Sequence, residues 1–271
     1  MAIGRRSFIG GAGALIGGTI GGIALADGRP PVTGDQFNEM LLRNRTAQRF
    51  NCTMIRPAEE GPFYNPASPL RRDIAERHAG VPLTLRISLG NLGGGIGCTP
   101  VSGAVVDIWH ANAKGEYSNV GEGLQDRVTA GETFMRGHQL TDATGTVEFE
   151  TTVPGWEVVS AAPPINFAAR TTHIHVKIFH EWQIFDTQLY FGDDLLDGLY
   201  AEVEPYRSRN VIRVPGSTQE IKRLRNGDDY SFKRSESTPM TITREGGKLL
   251  ATAAIGTWGT SNRGIPSFYG K

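Results

Sequence analysis

The chain has little cysteine, no excess of charge of either sign and no internal repeat. Its 271 residues contain two cysteines, 28 lysines and arginines, and 28 aspartates and glutamates, so the formal net charge is zero. A balanced chain has no overall field that would attract nucleic acid or an anionic membrane surface. We therefore expect a small molecule, and not nucleic acid, as the partner.

The two cysteines, Cys52 and Cys98, lack the CxxC spacing of zinc or thiol-redox sites. In an oxidising compartment, an even pair near the start of a domain predicts one disulfide. The alternative is a pair of buried free thiols. In neither case do we expect a direct chemical role.

The first 26 residues have the pattern of an export signal. Arg5 and Arg6 precede an apolar, glycine-rich stretch that ends at Ala24-Leu25-Ala26. A charged start, an apolar middle and a small-residue cleavage site favour secretion, and paired arginines favour the twin-arginine route. We predict cleavage, a periplasmic or extracellular location and no membrane association afterwards. A retained membrane anchor is the alternative. Residues 27–271 are expected to form a single domain.

Short stretches in which apolar and polar residues alternate predict β-strands that have one face in a core. Residues 34–48 have apolar residues at helical spacing and predict a short N-terminal helix, whereas the polar segment 217–237 predicts a surface excursion. We expect a mostly β protein, an antiparallel β-sandwich with long connecting loops. The predicted strands lie near 81–89, 103–109, 146–153, 173–179 and 240–254, with turns at 93–95, 142–145 and 244–248.

The segment His173-Ile174-His175 predicts a metal site. Alternate residues of a strand project from the same face of a sheet, so both imidazoles can reach one ion. Neutral imidazole binds iron, copper, zinc or nickel, and the pair alone does not distinguish among these metals.

Six motifs occur in order along the chain. They are EGPFY (60–64), VDIWHANAKGEYS (106–118), RGHQLTDATG (136–145), PGW (154–156), RTTHIHVK (170–177) and TQLY (187–190). In this order they resemble the intradiol ring-cleavage dioxygenases, the protocatechuate and catechol dioxygenase family, and particularly its exported single-chain members. The resemblance extends from about Cys52 to Tyr190.

The resemblance implies a mononuclear non-haem Fe(III) held by two tyrosinates and two histidines. Tyr117 matches one of the tyrosines, and His173 and His175 match the histidine pair. This ligand set is physically coherent, because ferric iron is a hard cation that favours anionic oxygen. A bound metal also deprotonates a phenol whose free pKa is about 10.

The second ligand tyrosine of the family is missing. In the exported members it directly follows PGW, where this chain has Glu157, and no tyrosine occurs between Trp156 and His173. A carboxylate carries the same charge, but its reference pKa near 4.3 against about 10 makes it a weaker base by roughly 8 kcal/mol. Three roles stay open for Glu157: a fourth metal ligand, a base beside a three-ligand site, and a solvated loop residue.

The resemblance implies that dioxygen opens a catechol-type ring between its two hydroxylated carbons. The partners would be a small aromatic diol and O2. Arg170 would stabilise negative charge on the substrate, and Tyr64 would line the substrate pocket. The structural alternatives are a surface salt bridge for Arg170 and turn packing for Tyr64.

Glu157 leaves two other functions open. The same scaffold with an altered metal site, holding manganese or copper, could perform another oxidative reaction. It could also be a non-catalytic module that binds an aromatic compound or a sugar, since sandwiches have many functions. The sequence is compatible with a monomer or a homodimer.

Overall fold

Two β-sheets organise the part of the chain that the computed structural model describes, which is residues 50–92, 97–122, 124–125, 127–160, 167–181, 183–213 and 220–257. These residues fall within one unit, Ala47–Lys271. Three predicted features lie outside the described residues: the export signal, the helix at 34–48 and the turn at 93–95.

The described strands and helices are short. In chain order they are β1 (Thr53–Met54), β2 (Pro82–Asn91), β3 (Thr99–Pro100), β4 (Val105–Trp109), β5 (Arg136–Leu140), β6 (Thr146–Thr152), β7 (Val158–Ser160), β8 (Phe167–Ala169), β9 (His173–His180), β10 (Gln183–Tyr190), α1 (Asp193–Glu202), β11 (Val211–Arg213), β12 (Glu220–Lys222), α2 (Tyr230–Arg234), β13 (Thr241–Glu245) and β14 (Lys248–Thr257). Single 3₁₀ turns occur at Arg207–Arg209 and Asn226–Asp228.

The first sheet is built on β2 and β14, which pair along most of their length. Strands β13 and β1 share the outer edge of β14, and β6 and β3 share the outer edge of β2. The second sheet has the order β10-β9-β4-β5 and is antiparallel throughout. The β2–β14 and β1–β14 pairs are parallel, so the predicted antiparallel arrangement holds for every other pair of these two sheets.

The inner faces of both sheets meet in one hydrophobic core. Strand β2 alternates, with Leu83, Leu85, Ile87 and Leu89 fully buried. Ile174, Val176 and Ile178 of β9 join the same cluster. Two sheets with a shared apolar layer confirm the predicted β-sandwich.

The other face of β9 carries the histidine pair and Lys177. All three side chains are buried although they point away from the main core. A second cluster covers this face, and it contains Phe63, Trp109, Ala111, Tyr117 and Val120. The outer face of the second sheet is therefore an enclosed polar site rather than a solvated surface.

The segment 217–237 was expected to be a surface excursion, and this expectation is wrong for its second half. Asn226, Asp229, Ser231 and Ser235 are buried. Phe232 of α2 packs its ring edge-to-face on Tyr190, with centroids 4.9 Å apart. Asn226 and Asp229 are buried because they hydrogen-bond to Thr171, just before β9, and Ser231 hydrogen-bonds to Glu59.

Cys52 and Cys98 form the disulfide that an even cysteine pair in an exported protein predicted, and the free-thiol alternative is wrong. The bond joins the segment before β1 to the segment before β3, on opposite edges of the first sheet. No helix among the described residues is long and apolar enough to cross a membrane.

Replacement of both cysteines by serine should destabilise the fold. The bond closes a loop with a sequence separation of 46, and loop-closure entropy then predicts a loss of about 4 kcal/mol in the free energy of unfolding. Urea unfolding of the wild type and the double variant under non-reducing conditions measures this difference. Mass spectrometry of the alkylated wild type verifies that its disulfide is formed. If it is formed and the two proteins unfold at the same urea concentration, the expectation is contradicted.

Candidate metal centre

The two histidines of β9 face each other across a short gap. The Nε2 atoms of His173 and His175 are 3.0 Å apart. Nδ1 of His173 lies 2.7 Å from the Thr171 carbonyl oxygen, which can only accept, so this nitrogen carries the proton. The Nε2 lone pair of His173 is therefore free to bind a metal. Nδ1 of His175 is buried and has no hydrogen-bond partner among the described residues.

Burial keeps both imidazoles neutral. It lowers the pKa of His173 to about 3, with the neighbouring Arg170 charge acting in the same direction. The pKa of His175 is lowered well below its ordinary value by burial and by His173. Neutral imidazole is the form that binds metals, so the site is electrostatically prepared for ligation.

Tyr117 and Glu157 come from two loops that touch through their backbones. The Gly155 amide donates to the Asn112 carbonyl oxygen at 2.9 Å. A Cβ at Gly155 would lie 2.5 Å from the Ala113 carbonyl oxygen. Only glycine permits this approach, which brings the residue after PGW next to the tyrosine after WHANAKGE.

Glu157 is buried, with 6% of its surface exposed, and its carboxyl group interacts with the neighbouring Tyr117 hydroxyl. Its Oε1 lies 3.9 Å from Nε2 of His173. Burial raises the pKa of the Glu157 carboxyl, and burial and the Glu157 charge raise the pKa of Tyr117. The solvated-loop alternative for Glu157 is therefore wrong.

These four side chains form a donor set of two imidazole nitrogens, one phenol and one carboxylate. The His, Cys, Asp and Glu side chains of the described residues form no group of three that could hold a metal by themselves. A centre at this position consequently requires the phenol of Tyr117. The set fits a hard trivalent cation, because the phenol and carboxylate can provide two anionic oxygens.

Arg170 lies beside this donor set, and two residues later in the chain hold its guanidinium group. Its Nε donates to Asp229 Oδ2 at 2.7 Å, and its Nη2 donates to Gln188 Oε1 at 2.8 Å. The side chain is 22% exposed and Asp229 is fully buried. The alternative of a surface salt bridge is therefore wrong for Arg170.

Aromatic rings enclose the site on the side of the EGPFY motif. The ring of Phe63 stacks on Tyr117, with centroids 4.5 Å apart, and Trp109 stacks on His175 at 4.8 Å. Tyr64 packs against Trp109, and its ring lies 4.7 Å from the ammonium group of Lys177. Tyr64 thus lies at the edge of the site, where both predicted roles, pocket lining and packing, are open to it.

A model of the dioxygenase family matches residues 59–211, more than half of the chain. The chain belongs to the intradiol ring-cleavage dioxygenase family. It is 29% identical to chlorocatechol 1,2-dioxygenase of Rhodococcus opacus over 190 residues, which cover 63% of this chain and 68% of the relative. It is 31% identical to the protocatechuate 3,4-dioxygenase beta chain of Burkholderia cepacia over 182 residues, which cover 64% and 75%.

The fold of this dioxygenase family member also matches solved structures. The intradiol ring-cleavage dioxygenase from Tetranychus urticae aligns with a TM-score of 0.60 at 24% identity, over 76% of this chain and 94% of that chain. The match supports the sandwich fold described above.

Sequence reasoning missed two charged residues near the candidate centre of this family member. Arg136, 2% exposed, donates from Nε to Ser118 Oγ and from Nη2 to the Ser118 carbonyl oxygen. It forms no ion pair among the described residues, and burial lowers its pKa to about 10. Its position at the start of β5, inside the RGHQL motif, was the available signal. Asp229 gave no such signal, because it lies in a polar segment outside every motif.

His110, which directly follows β4, is by contrast structural. Its Nδ1 donates to the Ala111 carbonyl oxygen at 2.8 Å, and its Nε2 accepts from the Thr151 hydroxyl at 2.9 Å. Both ring nitrogens are occupied, and burial lowers the pKa of His110 to about 4. It therefore has no free nitrogen to offer to the centre.

The Gly155→Ala variant should lose the alignment of Tyr117 and Glu157. The new methyl group would overlap the Ala113 carbonyl, and such overpacking costs typically about 1–3 kcal/mol. Thermal unfolding and ferric-iron binding by the purified variant measure the effect. Gly198→Ala is the matched control, because that position lies in α1 with open space around it and should be neutral or stabilising. Equal iron binding by Gly155→Ala and wild type would contradict the loop-contact argument.

Proposed function

We propose that this chain is a non-haem iron dioxygenase that uses O2 to open a catechol-type ring between the two hydroxylated carbons. Tyr117, Glu157, His173 and His175 would hold one ferric ion. The observation that carries the proposal is the 3.0 Å approach of the two imidazole Nε2 atoms, with the Glu157 carboxylate 3.9 Å from one of them and Tyr117 buried beside it. Membership of the dioxygenase family supplies the reaction class.

Ferric iron would act as a Lewis acid that binds both oxygens of the diol and makes the ring reactive towards dioxygen. The protein provides the anionic oxygens and neutral nitrogens that such an ion prefers. It also excludes water, since all four donor side chains are buried. Exclusion of water strengthens every electrostatic interaction inside the site.

Glu157 is suited to receive one of the protons that a diol releases on binding, which would loosen its own bond to the ion. Its carboxyl group interacts with the neighbouring Tyr117 hydroxyl and belongs to the same buried cluster. Burial raises the pKa of the carboxyl. Glu157 is therefore a stronger base than an exposed glutamate.

Arg170 would stabilise the negative charge that the substrate gains. A guanidinium is always charged and, in a sheltered site, stabilises an anion more strongly than in water. Its hydrogen bonds to Asp229 and Gln188 fix its orientation before the substrate arrives. Such prior ordering reduces the reorganisation that the reaction requires.

One observation favours a second candidate function at the same site. A carboxylate replaces the second phenolate, and two histidines, a carboxylate and a phenolate also satisfy manganese or copper. Another oxidative reaction of the same scaffold is therefore the competing proposal. Metal analysis and the reaction products distinguish the two.

The Tyr117→Phe variant tests the phenolate ligand. Wild-type protein loaded with ferric iron should show a tyrosinate-to-iron charge-transfer band that shifts when catechol is added. The variant should lose this band, because no other tyrosine belongs to the proposed donor set. Visible spectroscopy and oxygen uptake with catechol, protocatechuate and hydroxyquinol measure both properties.

The control for this test is Tyr230→Phe, which alters an exposed tyrosine. It should keep both the band and the oxygen uptake. A Tyr117→Phe protein with unchanged colour would exclude Tyr117 as a ligand. Colour without oxygen uptake in the wild type would favour the competing reaction, and a metal-free protein that binds an aromatic compound would favour a binding module.

The Glu157→Gln variant tests the carboxylate. Glutamine can bind a metal weakly but cannot accept a proton, and the loss of a general base costs about 10²-fold or more in kcat. Glu157→Tyr restores the family's residue and should intensify the charge-transfer band. Rapid-mixing kinetics and visible spectra of both variants measure these effects, with the exposed Glu204→Gln as control. Unchanged colour and turnover in both variants would remove Glu157 from the centre.

A further inference from the structure

The carboxylate of Asp229 is fully buried and accepts four hydrogen bonds. Arg170 donates to it twice, from Nε at 2.7 Å and from Nη2 at 3.2 Å. The backbone amide of Thr171 donates at 3.1 Å, and that of Phe232 donates at 2.9 Å. One side chain thus joins the segment before β9 to the first turn of α2.

The Asp229 carboxylate is itself held rigidly. It is the N-cap of α2, and the Asn226 side chain accepts from the Thr171 hydroxyl at 2.8 Å and donates to the Phe191 carbonyl oxygen at 2.8 Å. Asn226, three residues before Asp229, is therefore bonded to the residues that directly precede β9 and follow β10. Movement of Asp229 would break several buried hydrogen bonds at once.

Gln188 completes the fixation of the guanidinium. Its Oε1 accepts from Arg170 Nη2 at 2.8 Å and from the Tyr190 hydroxyl at 2.7 Å. Its Nε2 donates to the Glu59 carbonyl oxygen at 2.8 Å. Nε and Nη2 of Arg170 are engaged, while Nη1 makes no hydrogen bond within the described part of the chain.

Two carboxylates compete for the charge of Arg170. The guanidinium interacts electrostatically with Asp229 and also with Glu157 of the metal centre. The backbone amide of Arg170 donates to the Glu157 carbonyl oxygen at 3.3 Å, so the two residues are neighbours. Without Asp229, the buried Glu157 carboxylate would remain to attract the guanidinium. A carboxylate engaged by a guanidinium is a poorer ligand and a poorer base, since its lone pairs are occupied.

We propose that Asp229 is a positioning residue that holds Arg170 towards the substrate and prevents it from pairing with Glu157. The inference rests on the proposed function of the same site. It assigns a role to the segment after β12, which contributes no donor to the metal centre. Within the described part of the chain, Asp229 makes no hydrogen bond to the four donor side chains, and it acts through Arg170.

The first test uses metal-free protein and does not depend on catalysis. The Arg170 Nε–H group, bonded to Asp229, should give a protected and slowly exchanging NMR signal in the wild type, assigned with Arg170→Lys. Asp229→Asn should lose this signal or shift it strongly. An unchanged shift and exchange rate in Asp229→Asn would overturn the inference, whatever reaction the protein catalyses.

The second test uses iron-loaded protein. Asp229→Asn should change the charge-transfer band and reduce kcat by about 10²-fold, the typical effect of displacing a catalytic group by 1 Å. In the Arg170→Gln background, the same substitution should change kcat by less than about twofold, because residues that act through one another are not additive. Independent losses that multiply in the double variant would contradict action through Arg170.

Glu148→Gln is the matched control, since Glu148 binds Arg86 through two hydrogen bonds, from Nε at 3.0 Å and Nη2 at 2.7 Å, on the first sheet. It removes a comparable arginine–carboxylate pair and should leave the band and kcat unchanged. An inactive, colourless wild type would reject the proposed function, and the NMR result would still decide the positioning. An active wild type with an unaffected Asp229→Asn would reject the positioning alone.

Discussion

The burial of two neutral imidazoles side by side on one strand is the constraint on which the candidate site depends. Desolvation opposes protonation of either ring, and the Thr171 carbonyl oxygen fixes the proton of His173 on Nδ1. The Nε2 atoms then approach to 3.0 Å with at least one lone pair directed into the gap. Such an arrangement is stable only where an acceptor of lone pairs, a proton or a metal ion, lies between or beside the rings.

The oxygen donors reach these nitrogens because two loops can approach without side chains between them. Gly155 contacts the backbone of the loop that ends at Tyr117, and its amide bonds to Asn112. Trp156, next to it, is anchored by the Tyr200 hydroxyl, which accepts from its amide at 2.6 Å. The position of Glu157 therefore follows from the backbone packing of PGW.

Charge in the site is balanced by residues from distant parts of the chain. Arg170 is compensated by Asp229, 59 positions later, whereas Arg136 is buried without a carboxylate partner among the described residues. The positive charge of Arg136 favours the phenolate form of Tyr117. Arg170, near Glu157, is already paired with Asp229, so the Glu157 carboxylate is left free. The centre thus combines one uncompensated and one compensated arginine around two acidic donors.

Alternation of apolar residues was sufficient to predict the strands and the sandwich, because period-two patterns are local and the core selects them directly. The histidine pair and Tyr117 could likewise be predicted, since strand geometry places His173 and His175 on one face and the motif order carries the tyrosine. Local sequence could not decide whether Glu157 is solvent-exposed or buried. Its burial depends on the contact between Gly155 and Asn112, which lie 43 residues apart. Nor could it predict the parallel pairing of β14 with β2 or the role of the segment at 226–235. Pairing and burial of polar groups are decided by partners far apart in sequence, and only the folded chain brings those partners together.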